Sequence, residues 1–411
     1  MTHDWNRGKG APEPSMTPPE LDDETLRDGL QSPSALQPPL DEKIRFLHIL
    51  ADIGIQAADI GLPAAGARTE EEVTELAREI STNRLPIVPN CAARTLEGDV
   101  EAVIRAAESS GQEIEAAIFL GSSPIRSEVE RWDLESLLRM TRESVGLAVR
   151  NGLPVMFVTE DSTRSHPRIL DAVYSEALEA GAGRLCIADT AGASTPEGAA
   201  RIVAFLRGVL EKRGARNIRL DWHGHMDRGL GLACALSAVG AGIDRLHGSG
   251  LGVGERVGNV PMDLLIVNLK LAGLWEGALV PLKDYVRWVS KQTGTPIPRR
   301  YPAFGSDAYR TATGVHASAI RKAMKREDPE LTGLMYSSVS ASWFGFRQMV
   351  EVGPMSGRSN VLCWLESRGI QETTDLVESI LGSAKEARRT LTEEEILEIV
   401  RRAQAGKGRP T

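Results

Sequence analysis

The sequence predicts an α/β fold, a (β/α)₈ TIM barrel followed by a mainly helical C-terminal region. Eight runs of apolar or β-branched residues alternate with segments of helical periodicity, which is typical of a parallel sheet. Polar clusters follow five of these runs directly, as expected where parallel barrel strands open on one mouth. The alternation stops after Leu274. In a chain of 411 residues we therefore expect a disordered tail over residues 1–19, a barrel over 20–275 and helical subdomains over 276–411.

The eight predicted strands are short and mostly apolar, as strands covered on both faces should be. They are Leu21–Leu26, Ala57–Leu62, Pro86–Cys91, Glu115–Leu120, Pro154–Thr159, Arg184–Ala188, Ile218–Trp222 and Asp244–Gly248. A doubly wound open sheet is the alternative, but it would spread the polar clusters along a crevice instead of bringing them to one mouth.

The predicted helices carry apolar residues every three or four positions. In the barrel they are Asp41–Ile53, Thr69–Ser81, Glu97–Ser109, Leu134–Arg150, Pro167–Ala180, Pro196–Lys212, Gly231–Ala241 and Pro261–Leu271. Beyond the barrel they are Leu282–Gln292, Val315–Lys325, Asn360–Ser367, Asp375–Ala387 and Glu393–Arg402, joined by turns rich in Pro and Gly.

Composition indicates a globular protein that handles small molecules. Lys and Arg total 48 against 56 Asp and Glu, and the net charge is −8. The basic residues form no clustered patch, which argues against a nucleic-acid partner. We expect no membrane segment, because no run of about twenty apolar residues occurs and the first nineteen residues do not resemble a signal peptide. The four cysteines are far apart, so we expect reduced thiols in the cytoplasm.

A metal site is the sharpest functional hypothesis. His223 and His225 are one residue apart at a strand end, so their side chains point to the same side. Together with Asp28 and Asn259 they form an oxygen and nitrogen set that suits Mn²⁺, Mg²⁺, Zn²⁺ or Co²⁺ and leaves positions free for substrate. Such an ion could polarise the carbonyl of a 2-oxo acid, with Arg27 stabilising a developing enolate. The alternative is that one histidine packs and the other is solvated, while Asp28 caps a turn and Arg27 pairs with a carboxylate.

Several motifs resemble those of the 2-isopropylmalate synthase and homocitrate synthase family. Residues 23–31 read Asp-Glu-Thr-Leu-Arg-Asp-Gly-Leu-Gln, residues 223–225 read His-Gly-His, and residues 252–259 read Gly-Val-Gly-Glu-Arg-Val-Gly-Asn. Residues 159–164 and 189–192 resemble further barrel motifs of the family, and residues 313–316 resemble its downstream Gly-Ile-His segment. The resemblance extends from about residue 23 to residue 369.

The resemblance implies a condensation in which a base removes a methyl proton from acetyl-CoA and the carbanion attacks a metal-bound 2-oxo acid. Hydrolysis of the thioester then releases CoA. It implies that Asp28, His223 and His225 bind the metal, with Asn259 beside them or as a fourth ligand. Arg27 would stabilise the enolate, and Glu160 and His316 would transfer protons. Thr190 and Gln31 would contact the substrate. It also implies a homodimer in which the C-terminal region lies over the partner's barrel.

Without the resemblance, simpler interpretations of three side chains stay open. Glu160 could be part of a solvated loop pair with Asp161, and a histidine such as His316 is more often packed or exposed than catalytic. Tyr336 is a candidate for the family's proton-handling tyrosine, although its spacing from His316 is longer than usual.

The chain departs from the resembled family at two positions. Arg126 stands where isopropylmalate synthases usually have histidine, and homocitrate synthases carry a nearby arginine that grips the distal carboxylate of 2-oxoglutarate. The alternative is that Arg126 points outward to Glu128 or Glu130. Met226 replaces the family's usual asparagine, so a hydrogen bond near the metal site is lost or replaced.

We therefore predict an acyltransferase that converts the acyl group into alkyl on transfer, similar to 2-isopropylmalate synthase. A homocitrate synthase-like enzyme that uses a dicarboxylic 2-oxo acid is the first alternative. A lyase of the 3-hydroxy-3-methylglutaryl-CoA type is the second, but such lyases carry a cysteine in the loop after the eighth strand and residues 246–259 contain none. A non-catalytic metal-binding homologue would be expected to lack catalytic groups that this chain retains.

Overall fold

The structure is a computed structural model that describes residues 17–406. Of the tail expected over residues 1–19, the first sixteen residues lie outside the described residues, as do residues 407–411. The chain divides into two compact units, one ending at Pro296 and the other starting at Ile297.

The first unit is a closed barrel of eight parallel strands in sequence order, which confirms the predicted fold class. Strand β1 also pairs with β8, with Glu20 opposite Arg245, and so completes the ring. Each predicted strand overlaps an observed one. The strands are β1 Glu20–Asp23, β2 Ala57–Asp59, β3 Val88–Arg94, β4 Glu115–Gly121, β5 Val155–Glu160, β6 Arg184–Asp189, β7 Arg219–Gly224 and β8 Arg245–Gly248.

Helices follow the strands and cover the barrel. They are α1 Leu40–Ile53, α2 Ala67–Asn83, α3 Glu97–Ser110, α4 Pro124–Glu130, α5 Leu134–Arg150, α6 Pro167–Glu179, α7 Pro196–Lys212, α8 Gly231–Gly240, α9 Met262–Ala272 and α10 Leu282–Thr293. Short 3₁₀ turns lie at Gly29–Gln31, Pro63–Ala65, Ser162–Arg164 and Gly250–Gly252.

Several elements differ from the sequence prediction: β2 ends at Asp59 instead of Leu62, β3 extends to Arg94 instead of ending at Cys91, and the helix Pro329–Leu334 was not predicted. Two further differences lie beside predicted site residues. The first strand ends at Asp23 instead of Leu26, because the carboxylate of Asp23 accepts a hydrogen bond from the backbone of Thr25 at 2.9 Å and turns the chain. The turn that follows carries Arg27 and Asp28. Helix α4 was not predicted, because it is only seven residues long; Ser123 caps it and Pro124 begins it.

The barrel interior contains a buried layer of charged side chains. Arg245, on β8, donates to Glu115, on β4, at 2.8 Å, so this ion pair joins strands on opposite sides of the ring. Arg184, on β6, donates to Asp221, on β7, at 2.7 Å. Buried charges are tolerated only when they are paired. These pairs form the polar floor beneath the mouth where the functional groups lie.

The second unit is mainly helical. It contains α11 Gly314–Met324, α12 Pro329–Leu334, α13 Arg358–Glu366, α14 Thr374–Glu386 and α15 Glu393–Gly406, with a 3₁₀ turn at Ala341–Phe344. Two short strands, β9 Arg310–Thr311 and β10 Met349–Val350, pair in parallel. The last three helices share a core that includes Val361, Leu365, Ile380 and Ile396. Between residues 17 and 406, no helix has the length and apolar character needed to cross a membrane.

Candidate metal and substrate site

A cavity of about 390 Å³ opens at the carboxyl ends of the barrel strands. Seven of the ten residues predicted for the site line it: Arg27, Asp28, Gln31, Glu160, Thr190, His223 and His225. They lie at or just after the carboxyl ends of strands β1, β5, β6 and β7, which are far apart in the sequence and meet because the barrel closes.

Three of these side chains bring candidate metal ligands together. One ligand atom from each of Asp28, His223 and His225 lies within 4.8 Å of the other two. The Nε2 atoms of the two histidines face each other at 3.1 Å, and Nε2 of His223 lies 3.8 Å from Oδ2 of Asp28. Two nitrogens that share an ion at ~2.1 Å lie about 3.0 to 3.4 Å apart, so the histidine pair has a suitable spacing.

Asn259 lies against this group. Its Nδ2 donates to Oδ1 of Asp28 and to the carbonyl of Val253, both at 3.1 Å, and a bridge in the backbone pairs it with His225. Within residues 17–406, neither Oδ1 of Asn259 nor Nδ1 of His225 has a hydrogen-bond partner, although both atoms are buried. Unpaired buried polar atoms are rare, and the unpaired Oδ1 of Asn259, beside a carboxylate and two imidazoles, is consistent with a site shaped for an ion.

The loop that presents Asn259 depends on one glycine. Gly258 has a φ of +91°, and a Cβ at this position would lie 1.9 Å from the carbonyl oxygen of Gly252. A side chain here would therefore move the loop and displace Asn259.

The protonation states suit a divalent cation. Burial and the neighbouring His223 lower the pKa of His225 to about 4, so its imidazole is neutral at neutral pH. Burial alone would raise the pKa of Asp28, but Arg27 and His223 lower it below its usual value. A neutral imidazole and an ionised carboxylate are the forms that bind metal.

Arg27 lies at the wall of the cavity and is held by three carboxylates. Its Nε donates to Asp59 at 2.6 Å, its Nη1 to Asp28 at 3.0 Å, and its Nη2 to Glu24 at 3.3 Å. Burial alone would lower the pKa of this guanidinium, but Asp59, Asp28 and Glu24 raise it above its usual value. The result is a fixed positive charge beside the candidate metal ligands.

The other predicted residues of the mouth occupy different environments. Oγ1 of Thr190 accepts from the backbone of Asp161 at 2.9 Å, and the carbonyl of Thr190 accepts from Arg256 at 2.6 Å. The half-buried carboxylate of Glu160 has no ion-pair or hydrogen-bond partner among the described residues, so it is available for proton transfer. Gln31 is exposed at the rim.

Besides Asn259, which lies against the ligand group, two predicted residues do not line the cavity. Nη2 of Arg126 lies 3.2 Å from Oε1 of Glu130, its side chain is 44% exposed, and its guanidinium lies 5.7 Å from the ring of Trp132. The structure thus shows the outward ion pair for Arg126, and its contact with substrate stays a prediction. His316 belongs to the second unit, where its ring stacks on Tyr336 with centroids 4.0 Å apart.

Sequence reasoning missed three residues that contact the site from within the barrel. Asp59 ends β2 and could have been found, because polar residues at strand ends were the signal used elsewhere. Glu24 lies inside the first motif but was not given a role. His247 gave no signal, because it lies within a strand and its buried carboxylate partners come from β1 and β7.

Comparisons with known proteins identify a matching family and several similar proteins. The HMGL-like family model matches residues 19–285. Homocitrate synthase AksA of Methanopyrus kandleri is 30% identical over 94% of this chain and 92% of its own length. A probable 2-isopropylmalate synthase of the same organism is 29% identical over 89% of this chain and 68% of its own length.

A solved structure shows the same fold. The hydroxymethylglutaryl-CoA lyase of Pseudomonas aeruginosa aligns with a TM-score of 0.56 and 21% identity, over 67% of this chain and 93% of that chain. The family model covers more than half of the chain and spans all eight barrel strands. The chain therefore belongs to the HMGL-like family.

Proposed function

We propose that this protein is a metal-dependent acyltransferase that condenses acetyl-CoA with a 2-oxo acid and then hydrolyses the thioester, as in 2-isopropylmalate synthase. One observation carries the proposal: the ligand atoms of Asp28, His223 and His225 converge in the cavity directly beside the charged Arg27. The names of the similar synthases support the same reaction class.

The metal would be held by Asp28, His223 and His225, with Asn259 as a fourth or neighbouring group. When bound, a divalent ion such as Mn²⁺, Mg²⁺, Zn²⁺ or Co²⁺ supplies Lewis acidity to the carbonyl of the 2-oxo acid. The mixed donor set does not favour one of these ions decisively.

The protein's own groups would handle charge and protons. A base takes a proton from the methyl group of acetyl-CoA, and the electron pair left behind forms the new bond to the ketone carbon. The ketone oxygen then gains a proton, and water cleaves the thioester to release CoA. Arg27 would stabilise the negative charge that develops on the thioester oxygen. Glu160 is our candidate for proton transfer inside the barrel, because its carboxylate lines the cavity without an ion pair.

The wall of the cavity favours a 2-oxo acid with an apolar side chain. Strands β3 to β6 contribute Ala92, Ala117, Met156, Val158 and Ala188 to it. Among the described lining residues only Arg27 and Arg256 carry a guanidinium or ammonium group, and both are paired with aspartates. A second carboxylate on the substrate would therefore be buried without a free cation, which is costly. We infer that 2-oxoisovalerate fits better than 2-oxoglutarate.

A homocitrate synthase-like activity is the second candidate, since the similar Methanopyrus protein of that name matches nearly the full chain. It would require a cation near the apolar wall, and Arg126 is the nearest candidate in sequence. We also propose that the enzyme is a cytoplasmic homodimer in which His316 of one subunit acts at the barrel of the other, supported by the family resemblance.

The test is CoA release from acetyl-CoA by the full chain with Mn²⁺ or Mg²⁺, across 2-oxoisovalerate, pyruvate, 2-oxoglutarate and oxaloacetate. Release with 2-oxoisovalerate that stops on addition of chelator would support the proposal. Release only with a dicarboxylic acid would favour the second candidate. Absence of release with every acid would contradict the synthase function, and the Asp28→Asn variant serves as the matched inactive control.

A further inference from the structure

A chain of close polar contacts connects His223 to the barrel interior. Nδ1 of His223 lies 2.7 Å from Oε2 of Glu24, and Oε1 of Glu24 lies 2.9 Å from Nδ1 of His247. Nε2 of His247 lies 3.1 Å from Oδ2 of Asp221, which in turn is held by Arg184 through its other oxygen. Glu24, His247 and Asp221 are all at least 96% buried.

These contacts determine which nitrogen of His223 carries a proton. Glu24 is an ionised carboxylate that can only accept, so its 2.7 Å contact favours a proton on Nδ1 of His223. A neutral His223 therefore presents the lone pair of Nε2 to the cavity, on the side of His225. His225 has no comparable support, because its Nδ1 lacks a partner within residues 17–406.

Glu24 can hold two imidazoles because it has two acceptor oxygens. One oxygen faces His223 and the other faces His247. A glutamine at this position would offer a single carbonyl oxygen and an amide that donates, so one of the two N–H groups would lose its acceptor.

We propose that Glu24 and His247 are positioning residues that fix His223 as a metal ligand, Glu24 by direct contact and His247 by holding Glu24. The inference rests on the proposed metal-dependent function. It adds two cavity-lining residues to the site, neither of which is proposed as a ligand of the ion. Partners of this kind orient ligand histidines in other metal sites, and their loss lowers metal affinity about 10- to 100-fold.

A second ion between Glu24, His223 and His247 is the competing interpretation, because ligand atoms of these residues also lie within 4.8 Å of one another. Both nitrogens of His247 face carboxylates, from Glu24 on one side and Asp221 on the other. Both nitrogens are therefore donors, and neither has a lone pair for an ion. The stoichiometry of metal binding separates the two interpretations.

The experiment compares Glu24→Gln, His247→Gln and the double variant with wild type, using the full chain freed of metal by chelator. Glu115→Gln is the matched control, since it removes a buried carboxylate charge from the same barrel interior without contacting either ligand histidine. Titration calorimetry with Mn²⁺ measures affinity and stoichiometry. Spectra of the ¹⁵N-labelled imidazoles, of which the chain has seven, report the tautomer of His223.

We expect one ion per chain, with affinity about 10- to 100-fold weaker in Glu24→Gln and a smaller loss in His247→Gln. The losses should not add in the double variant, because His247 acts through Glu24. Glu115→Gln should bind Mn²⁺ with an affinity within about twofold of wild type, because Glu115 contacts neither ligand histidine.

Wild-type affinity in Glu24→Gln, or two ions per chain in wild type, would refute the positioning role and leave the proposed function intact. Failure of the wild-type chain to bind any divalent ion would instead refute the proposed function. If Glu24→Gln does not fold, the wild-type spectrum decides: a proton on Nδ1 of His223 supports the inference, and a proton only on Nε2 contradicts it.

Discussion

His247 should make the stability of the fold depend on pH above neutrality. Burial lowers the pKa of this imidazole, but the charge of Asp22 and the hydrogen bonds to Asp221 and Glu24 outweigh it and raise the pKa from 6.5 to about 10. Besides these carboxylates, the neighbouring His223 and Arg245 face the same interior. The native state therefore retains on His247 a proton that the unfolded chain loses above pH 6.5.

The sign and the size follow from this difference. Below pH 6.5 both states bind the proton and the stabilisation is fully present; it is lost as pH rises through the native pKa near 10. Between these values the free energy of unfolding falls by about 1.4 kcal/mol per pH unit, the cost of one bound proton. From pH 7.5 to 9.0 the contribution of His247 is a decrease of about 2 kcal/mol.

The assay is urea unfolding of wild type and His247→Gln at several pH values from 7.5 to 9.0, with chelator present to remove the effect of metal binding. The wild type should be the more stable protein at pH 7.5, and its advantage should shrink by about 2 kcal/mol by pH 9.0. Arginines remain charged over this range, so Arg245 contributes no slope of its own. A stability difference that is constant with pH would refute the assignment of a buried, charged His247.

Three further perturbations test the site and its assembly. Arg27→Ala should still bind metal but release CoA about 10²- to 10³-fold more slowly, because a fixed charge for the enolate is removed; near wild-type turnover would contradict its role. Gly258→Ala should lower the free energy of unfolding by more than about 1 kcal/mol and weaken Mn²⁺ binding measured by calorimetry, since a Cβ cannot fit against Gly252; an unchanged midpoint and affinity would sink this expectation. Inactive Asp28→Asn and His316→Ala chains, mixed under conditions that exchange subunits, should recover about a quarter of wild-type CoA release. Half of the dimers are then mixed, and each mixed dimer has one intact site out of two. A mixture that stays inactive would argue against sites shared between subunits.

The substrate inference has its own variant. Arg126→Ala should leave turnover of 2-oxoisovalerate within about twofold of wild type, because an exposed ion pair contributes little. Steady-state CoA release measures this. A large loss confined to 2-oxoglutarate or oxaloacetate would instead assign Arg126 to the recognition of a second carboxylate.

The sequence allowed much of the fold and the mouth of the barrel to be predicted. Alternating apolar strands and amphipathic helices predict a parallel barrel. Because the strands of such a barrel all end at one mouth, Asp28 and His223 are expected to lie close together although nearly two hundred residues separate them. Strand ends can be located to within about three residues from the chain alone, because apolar runs stop near them. The resemblance then supplied roles that the residue types alone leave open, such as that of Glu160.

The interior could not be predicted in the same way. Arg184 and Arg245 are the first residues of their strands. A charged residue at the start of an apolar run indicates the strand boundary, so nothing in the sequence indicated that these two side chains are buried. Which carboxylates meet them depends on the register between strands that are distant in sequence, as when Arg245 reaches Glu115 across the ring. The double contact of Glu24 has the same origin, since His223 and His247 reach it from two different strands.

The charged layer also bears on how the barrel can close. Arg245 on β8 bonds to Asp22 on β1 and to Glu115 on β4, so two of its partners come from the first half of the barrel, whereas its own strand is the last of the barrel to be synthesised. If β8 slipped by one residue, its side chains would exchange faces and Arg245 would leave the carboxylates without a cation in a buried interior. An incomplete barrel would likewise hold unpaired acids. The correctly closed barrel is therefore lower in free energy than near-native alternatives. Pairing of the last strand requires that the first strands are already in the correct register.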